Sequence, residues 1–290
     1  MSTIRIQPWR LAMVASGSVA IPAGAVLAIN HALAPSRQQL RPPTFEDLPA
    51  LPNTPSTNIM MFHGLWDGPG RYGELVPYLQ GHGRVTLAMN GAQVDNTAPA
   101  AFSHLQSRGT HSQMVVGFSL GSQTVMQYLL THLAATGRPV ESAIIVSGMA
   151  HPRYVKWPHW ALPIACEILH HGPIVDYFWE YHWSQRIRGT KSSKSELLRQ
   201  RQQFGSCTAL TGARRLRRGV RGLKPGIFNG TRMLIVEHTA DRWVTGCFPA
   251  WKHLCNQAEH LVINGPGHAD FTEYIGEYTQ GINSWLHATA

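Results

Sequence analysis

The sequence predicts an α/β fold, with a mostly parallel sheet, helices on both of its faces and one large helical insertion. Three observations carry that expectation. From residue 58 onward, short and almost continuously apolar runs alternate with segments of helical period, the pattern of parallel strands buried on both faces. The alternation breaks once, for more than eighty residues between Val146 and Met233, which is too long for a connecting loop in a compact domain. The 290 residues are 43% hydrophobic and only 14% charged, a balance that builds a core and excludes intrinsic disorder. No internal repeat has solenoid or propeller spacing, and four cysteines are too few for a disulfide scaffold.

At the N-terminus, Arg5 and Arg10 precede an uncharged run from Leu11 to Ile29, and Ala32-Leu33-Ala34 forms a small-x-small site. This is the order of a secretory signal, and the length of the run equally suits an uncleaved membrane anchor. Residues 1–34 are therefore read as a signal or anchor on an exported or membrane-anchored protein, with a cytoplasmic chain as the alternative. Residues 35–57 carry six prolines (Pro35, Pro42, Pro43, Pro49, Pro52, Pro55) and read as an extended linker. On that reading the sheet begins at Asn58, without antiparallel strands before it.

Strands are expected at Asn58–Phe62, Val85–Met89, Met114–Phe118, Ala143–Val146, Met233–Val236 and Leu261–Ile263. Helices are expected near Glu74–Leu79 and Ala98–Leu105, and behind Phe118, where Val125, Met126, Leu129, Leu130 and Leu133 recur at helical spacing. A closing helix places Phe271, Tyr274, Ile275, Tyr278, Ile282, Trp285 and Leu286 on one face. The core is thus assigned to residues 58–149 and 225–290, and residues 150–224 to a lid.

The charge is localised. Of a net +9, the stretch from Arg186 to Lys224 contributes twelve basic residues and one acid, leaving the rest slightly acidic. A basic lid face that is solvated or meets anionic lipid fits this better than a nucleic-acid surface, because no aromatic residues interleave Arg214, Arg215, Arg217 and Arg218. No nucleic-acid partner is expected. Trp157, Trp160, Trp179, Trp183 and neighbouring His and Tyr residues suit an apolar lid wall. Cys166, Cys207, Cys247 and Cys255 form no C-x-x-C pair, and His170 and His171 are adjacent, so no metal site is expected. In an oxidising compartment Cys247 and Cys255 would be placed to bridge a short loop.

The chemistry centres on Gly117-Phe118-Ser119-Leu120-Gly121, a G-x-S-x-G where a buried strand meets a helix. A serine on so sharp a turn is lifted clear of the sheet, and flanking glycines let strand and helix approach. A neutral hydroxyl is a weak nucleophile and needs a base, which in turn needs an orienting acid. Asp241 follows the Met233–Val236 strand, and His268 follows the last strand in Gly265-Pro266-Gly267-His268. Glu237 is a rival acid that comes too early, still at the strand end, and Ser147 and Gly148 stand where an acid after Val146 would be. An oxyanion would be met by backbone N–H groups of Leu120 and of Leu65, in the turn His63-Gly64-Leu65 after the first strand, with Gly64 freeing the turn and His63 a structural ring.

On these motifs, with Arg242-Trp243-Val244 after the acid, the chain resembles the α/β-hydrolase superfamily in its lid-bearing esterase/lipase-like branch, over roughly residues 58–288. The resemblance implies a Ser119, Asp241, His268 triad, Leu65 and Leu120 as oxyanion donors, supporting turns at His63, Gly64, Gly117 and Gly121, and cleavage of a small-molecule ester without a cofactor. Three departures weigh against transferring a substrate: the sheet lacks an antiparallel beginning, His238 stands where a small residue is usual three before the acid, and Asn90-Gly91-Ala92 lacks the usual Asp and glycine-rich turn. Thioester, lactone or peptide substrates use the same machinery, and a non-catalytic binder with this fold is a different class of alternative. Gly68-Pro69-Gly70-Arg71-Tyr72-Gly73 has the G-x-G-x-x-G form, but it starts several residues past its strand and no acid closes the next one, against dinucleotide binding.

Overall fold

The structure is a computed structural model, which describes residues 43–64, 72–89, 94–150, 222–241, 244–265, 268 and 274–288. The expected signal or anchor at 1–34 lies outside the described residues, and so does the expected lid apart from residues 150 and 222–224. Among the described residues no helix is long and apolar enough to cross a membrane.

The described chain runs β1 (Phe45–Leu48), β2 (Asn58–Phe62), α1 (Leu75–Gln80), β3 (Arg84–Ala88), α2 (Val94–Gln106), β4 (Met114–Phe118), α3 (Gly121–Thr136), β5 (Ser142–Val146), β6 (Arg232–His238), α4 (Phe248–Leu254), β7 (Glu259–Ile263) and α5 (Ile275–His287). One seven-stranded sheet has the order β1-β3-β2-β4-β5-β6-β7. All neighbours are parallel except β1 with β3. The chain leaves β2 for β3 on one side and returns to β4 on the other, so β2 and β4 flank a switch point of the topology, the crevice where open α/β sheets place ligands.

Alternate residues of each strand feed two cores. Met60, Phe62, Val115, Ile145 and Ile235 pack with α2, α3 and α4, whereas Ile59, Met61, Val116, Ile144 and Val236 pack with α1 and α5. Each such fully buried side chain stabilises the fold by roughly 1.5–3 kcal/mol relative to exposure. This two-sided burial is why the strands read as continuous apolar runs.

Four features differ from the expectation. The stretch read as linker contains β1, paired antiparallel with β3 from Phe45 opposite Ala88 to Leu48 opposite Val85, so the sheet does have an antiparallel beginning. Its four residues include Glu46 and Asp47, which argue against a strand when read alone. In place, Asp47 accepts a hydrogen bond from Thr86 Oγ1 at 2.6 Å and meets His104 at 3.0 Å and Arg108 at 2.6 Å, on and just beyond α2. Helix α2 begins at Val94, so Pro99 lies inside it rather than at its start. Strand β6 continues to His238. Between Cys247 and Cys255 there is a helix, α4, and the two buried cysteines are not joined in a disulfide. Eight residues of helical rise separate them by roughly 12 Å, beyond the reach of a disulfide.

Candidate active site

Ser119 sits between the end of β4 and the start of α3 with φ of 51°. A non-glycine residue in this left-handed region is strained by roughly 1–3 kcal/mol, and the surroundings hold it there. Its N–H donates to the Val146 carbonyl at 2.9 Å, and its carbonyl accepts from the Ser122 N–H at 3.1 Å and the Ser122 hydroxyl at 2.6 Å. The flanking glycines are required by contact. A Cβ at Gly121 would stand 2.2 Å from the Phe62 carbonyl oxygen, and one at Gly117 would stand 2.4 Å from Val125. Helix α3 can therefore start against β2 only because residue 121 has no side chain. Leu120, next in the turn and buried, lies at the amino end of α3, where helix geometry leaves N–H groups without intrahelical acceptors.

Ser119, Asp241 and His268 meet. His268 Nε2 is 2.8 Å from Ser119 Oγ, and His268 Nδ1 is 2.8 Å from Asp241 Oδ2. A carboxylate only accepts, so Nδ1–H donates to Asp241 and Nε2 is left as acceptor for the Ser119 hydroxyl. The second oxygen of Asp241, Oδ1, accepts the Val244 N–H at 2.9 Å, and the Asp241 N–H donates to the His238 carbonyl at 3.2 Å. The three residues are 1–3% exposed, so water screens their interactions little. The Phe118 ring lies 5.3 Å from the His268 ring, centroid to centroid.

The rival acid points elsewhere. Glu237 Oε1 accepts the Phe248 N–H of α4 at 2.7 Å, and Oε2 lies 3.2 Å from His260 Nε2. His63 is buried and its Nδ1–H donates to the Gly64 carbonyl at 2.9 Å, which suits a ring that shapes its own turn. Leu65, Arg242, Trp243, Pro266 and Gly267 lie outside the described residues, as do Gly68–Arg71 and Asn90–Ala92. Among the described residues no three His, Cys, Asp or Glu side chains are grouped to hold a metal ion.

A second buried cluster adjoins the first, and no sequence motif announces it. Ser147, at the end of β5, has φ of 45°. Its hydroxyl is 2.8 Å from His238 Nδ1, and His238 Nε2 bonds the Tyr278 hydroxyl of α5. Burial pushes the His238 imidazole down to about 4, with the Asp241 charge opposing and the nearby His268 adding to the shift. His238 is thus a neutral ring at ordinary pH. Its only signal in the sequence is its oddity, a histidine where a small residue is expected.

No protein-family model matches this chain, and neither does any curated protein. Solved structures do. An esterase from Exiguobacterium antarcticum is 16% identical with a TM-score of 0.66, over 85% of this chain and 96% of its own. A marine microorganism esterase is 14% identical with a TM-score of 0.63, over 84% and 99%. An enol-lactonase from Burkholderia xenovorans is 13% identical with a TM-score of 0.61, over 84% and 96%. Likeness of this kind at such low identity defines architecture: the chain has the α/β-hydrolase fold.

Proposed function

We propose that this protein is a serine hydrolase that cleaves carboxylic esters through an acyl-enzyme intermediate. The observation that carries the reading is the continuous, buried chain from Ser119 Oγ through His268 to Asp241, with 2.8 Å at each link. The Ser119 oxygen attacks the ester carbonyl as His268 Nε2 takes its proton, and Asp241 stabilises the resulting imidazolium. The negative oxygen of the tetrahedral intermediate is met by the Leu120 N–H and by the N–H of Leu65. His268 returns the proton to the departing alkoxide, leaving the acyl group on Ser119. Water, deprotonated by the same imidazole, then releases the acid and restores the serine.

Esterases among the similar structures favour a small-molecule ester. An enol-lactonase and an N-acyl homoserine lactonase also share the architecture, and a lactone, being a cyclic ester, would follow the same steps. Residues 150–224 are proposed as a lid over the serine, its basic face toward solvent or anionic lipid, on a protein exported or anchored through residues 1–34. Fluorophosphonate labelling and p-nitrophenyl ester turnover, measured on the wild type and on Ser119→Ala, test the reading. The wild type should label and turn over while the variant does neither and still folds. Equal turnover by the two proteins would exclude the assignment.

A further inference from the structure

We infer that His238 is a positioning residue of the active site: held between the Ser147 and Tyr278 hydroxyls, it locks the turn carrying Asp241 to the helix that follows His268. This rests on the hydrolytic reading above. The geometry is specific to that task. His238 is the last residue of β6, three before Asp241, and its carbonyl accepts the Asp241 N–H. Its ring reaches sideways to β5 through Ser147 Oγ at 2.8 Å, and across to α5 through Tyr278. The Asp241 turn after β6 and helix α5, which follows His268 in the chain, are thus tied to one residue.

The strand ends are linked in the same direction. The Ser119 N–H donates to Val146, the Ser147 N–H to Val236 at 2.9 Å, and the Thr239 N–H to Ile263 at 3.1 Å. Ser147 holds a left-handed backbone and is 1% exposed. A buried hydroxyl on a strained residue is retained at a cost in stability, and here that hydroxyl is engaged by His238.

The groups facing the ring are Ser147 from β5, Tyr278 from α5, and Asp241 and His268 from the site, while its register partner on β7 is the apolar Ile263. A neutral ring among them leaves the charge of Asp241 to His268. A cationic ring in that place would compete for the carboxylate and repel the imidazolium that forms during turnover.

The test uses Ser147→Gly and Tyr278→Phe in the full chain, with Ser119→Ala as control, reading kcat, KM, the acid limb of the kcat/KM profile against pH, and Tm. Each variant should lower kcat roughly tenfold, as expected for a slightly misplaced catalytic group, with KM unchanged. The acid limb should move to lower pH, because a loosened Asp241 stabilises the imidazolium less. For Ser147→Gly the Tm should hold or rise, since glycine accepts the positive φ freely. A lowered kcat at a held or raised Tm separates positioning from mere structure, and it keeps the test decisive if Tyr278→Phe fails to fold. Wild-type kcat and acid limb in Ser147→Gly, with or without a change in Tm, would overturn the inference. If Ser119→Ala is inactive in that case, the positioning role alone fails, whereas an active Ser119→Ala removes the hydrolytic reading itself.

Discussion

Two neighbouring strands end in almost the same way. Both β4 and β5 close on a buried serine with a left-handed backbone, φ 51° at Ser119 and 45° at Ser147, and both hydroxyls lie 2.8 Å from a histidine nitrogen. The third partner differs. The ring at Ser119 leans on the Asp241 carboxylate, whereas the ring at Ser147 leans on the Tyr278 hydroxyl. A carboxylate sets a full negative charge against an imidazolium and a neutral phenol does not, so the first pair is the better suited to take up a proton. The turns differ as well: Ser119 opens directly into α3 between two glycines, where a helix amino end carries N–H groups without intrahelical acceptors and a partial positive charge. A serine beside a histidine is therefore not by itself a nucleophile.

The sharpest way to break this comparison is to delete the two hydroxyls in turn. Ser119→Ala should reduce ester turnover by on the order of 10⁴-fold or more, whereas Ser147→Ala should retain at least roughly a hundredth of wild-type kcat and full fluorophosphonate labelling. A reversal of that order would make Ser147 the nucleophile. Next in size is Asp241→Asn, expected to lower kcat by roughly 10⁴-fold with little change in structure, because an amide leaves the imidazole in the wrong tautomer and its cation unpaired. Near-normal turnover in that variant would erase the distinction between carboxylate and phenol.

The buried His238 ring also bears on stability. His238 is pushed from its ordinary 6.5 to about 4 by burial, so between those values the unfolded chain takes up a proton that the folded chain refuses. Stability should therefore fall as pH drops from about 6.5 to 4, by about 3 kcal/mol from this group, and level off below. His82 and His132, also lowered by burial, act in the same direction. Denaturant unfolding of wild type and His238→Gln across this range checks it: the slope should be shallower in the variant, and identical slopes would contradict a buried neutral ring. The smallest effect concerns the turn itself. Gly121→Ala forces a methyl against the Phe62 carbonyl and should destabilise the fold by roughly 1–3 kcal/mol, seen as a lower Tm. A neutral result would mean that the glycine is not what brings α3 against β2.

Much of this architecture is legible in the sequence. The strands from β2 to β7 declare themselves because burial on both faces leaves unbroken apolar runs, and the Ser119 motif marks a junction whose close approach only glycine permits. Asp241 and His268 are legible through order alone, each just past a strand. Helix α4 escapes a search for long apolar periodicity because it is short, although Pro249 in its first turn and the spacing of Trp251 and Leu254 do signal it.

What composition and pattern dictate is whatever depends on neighbours along the chain: strand, helix, and the sharp turn that lifts a serine. Pairings between remote residues are another matter. The ends of the Ser147–His238 bond are 91 residues apart and those of the His238–Tyr278 bond 40 apart, and Asp47 belongs in a strand only because the fold brings it His104 and Arg108. Such contacts follow from where the sheet order sets each strand end, which no local periodicity encodes. The choice of Asp241 over Glu237, which position along the chain already favoured, takes its geometry from the packed fold, which sends one carboxylate to His268 and the other to the start of α4.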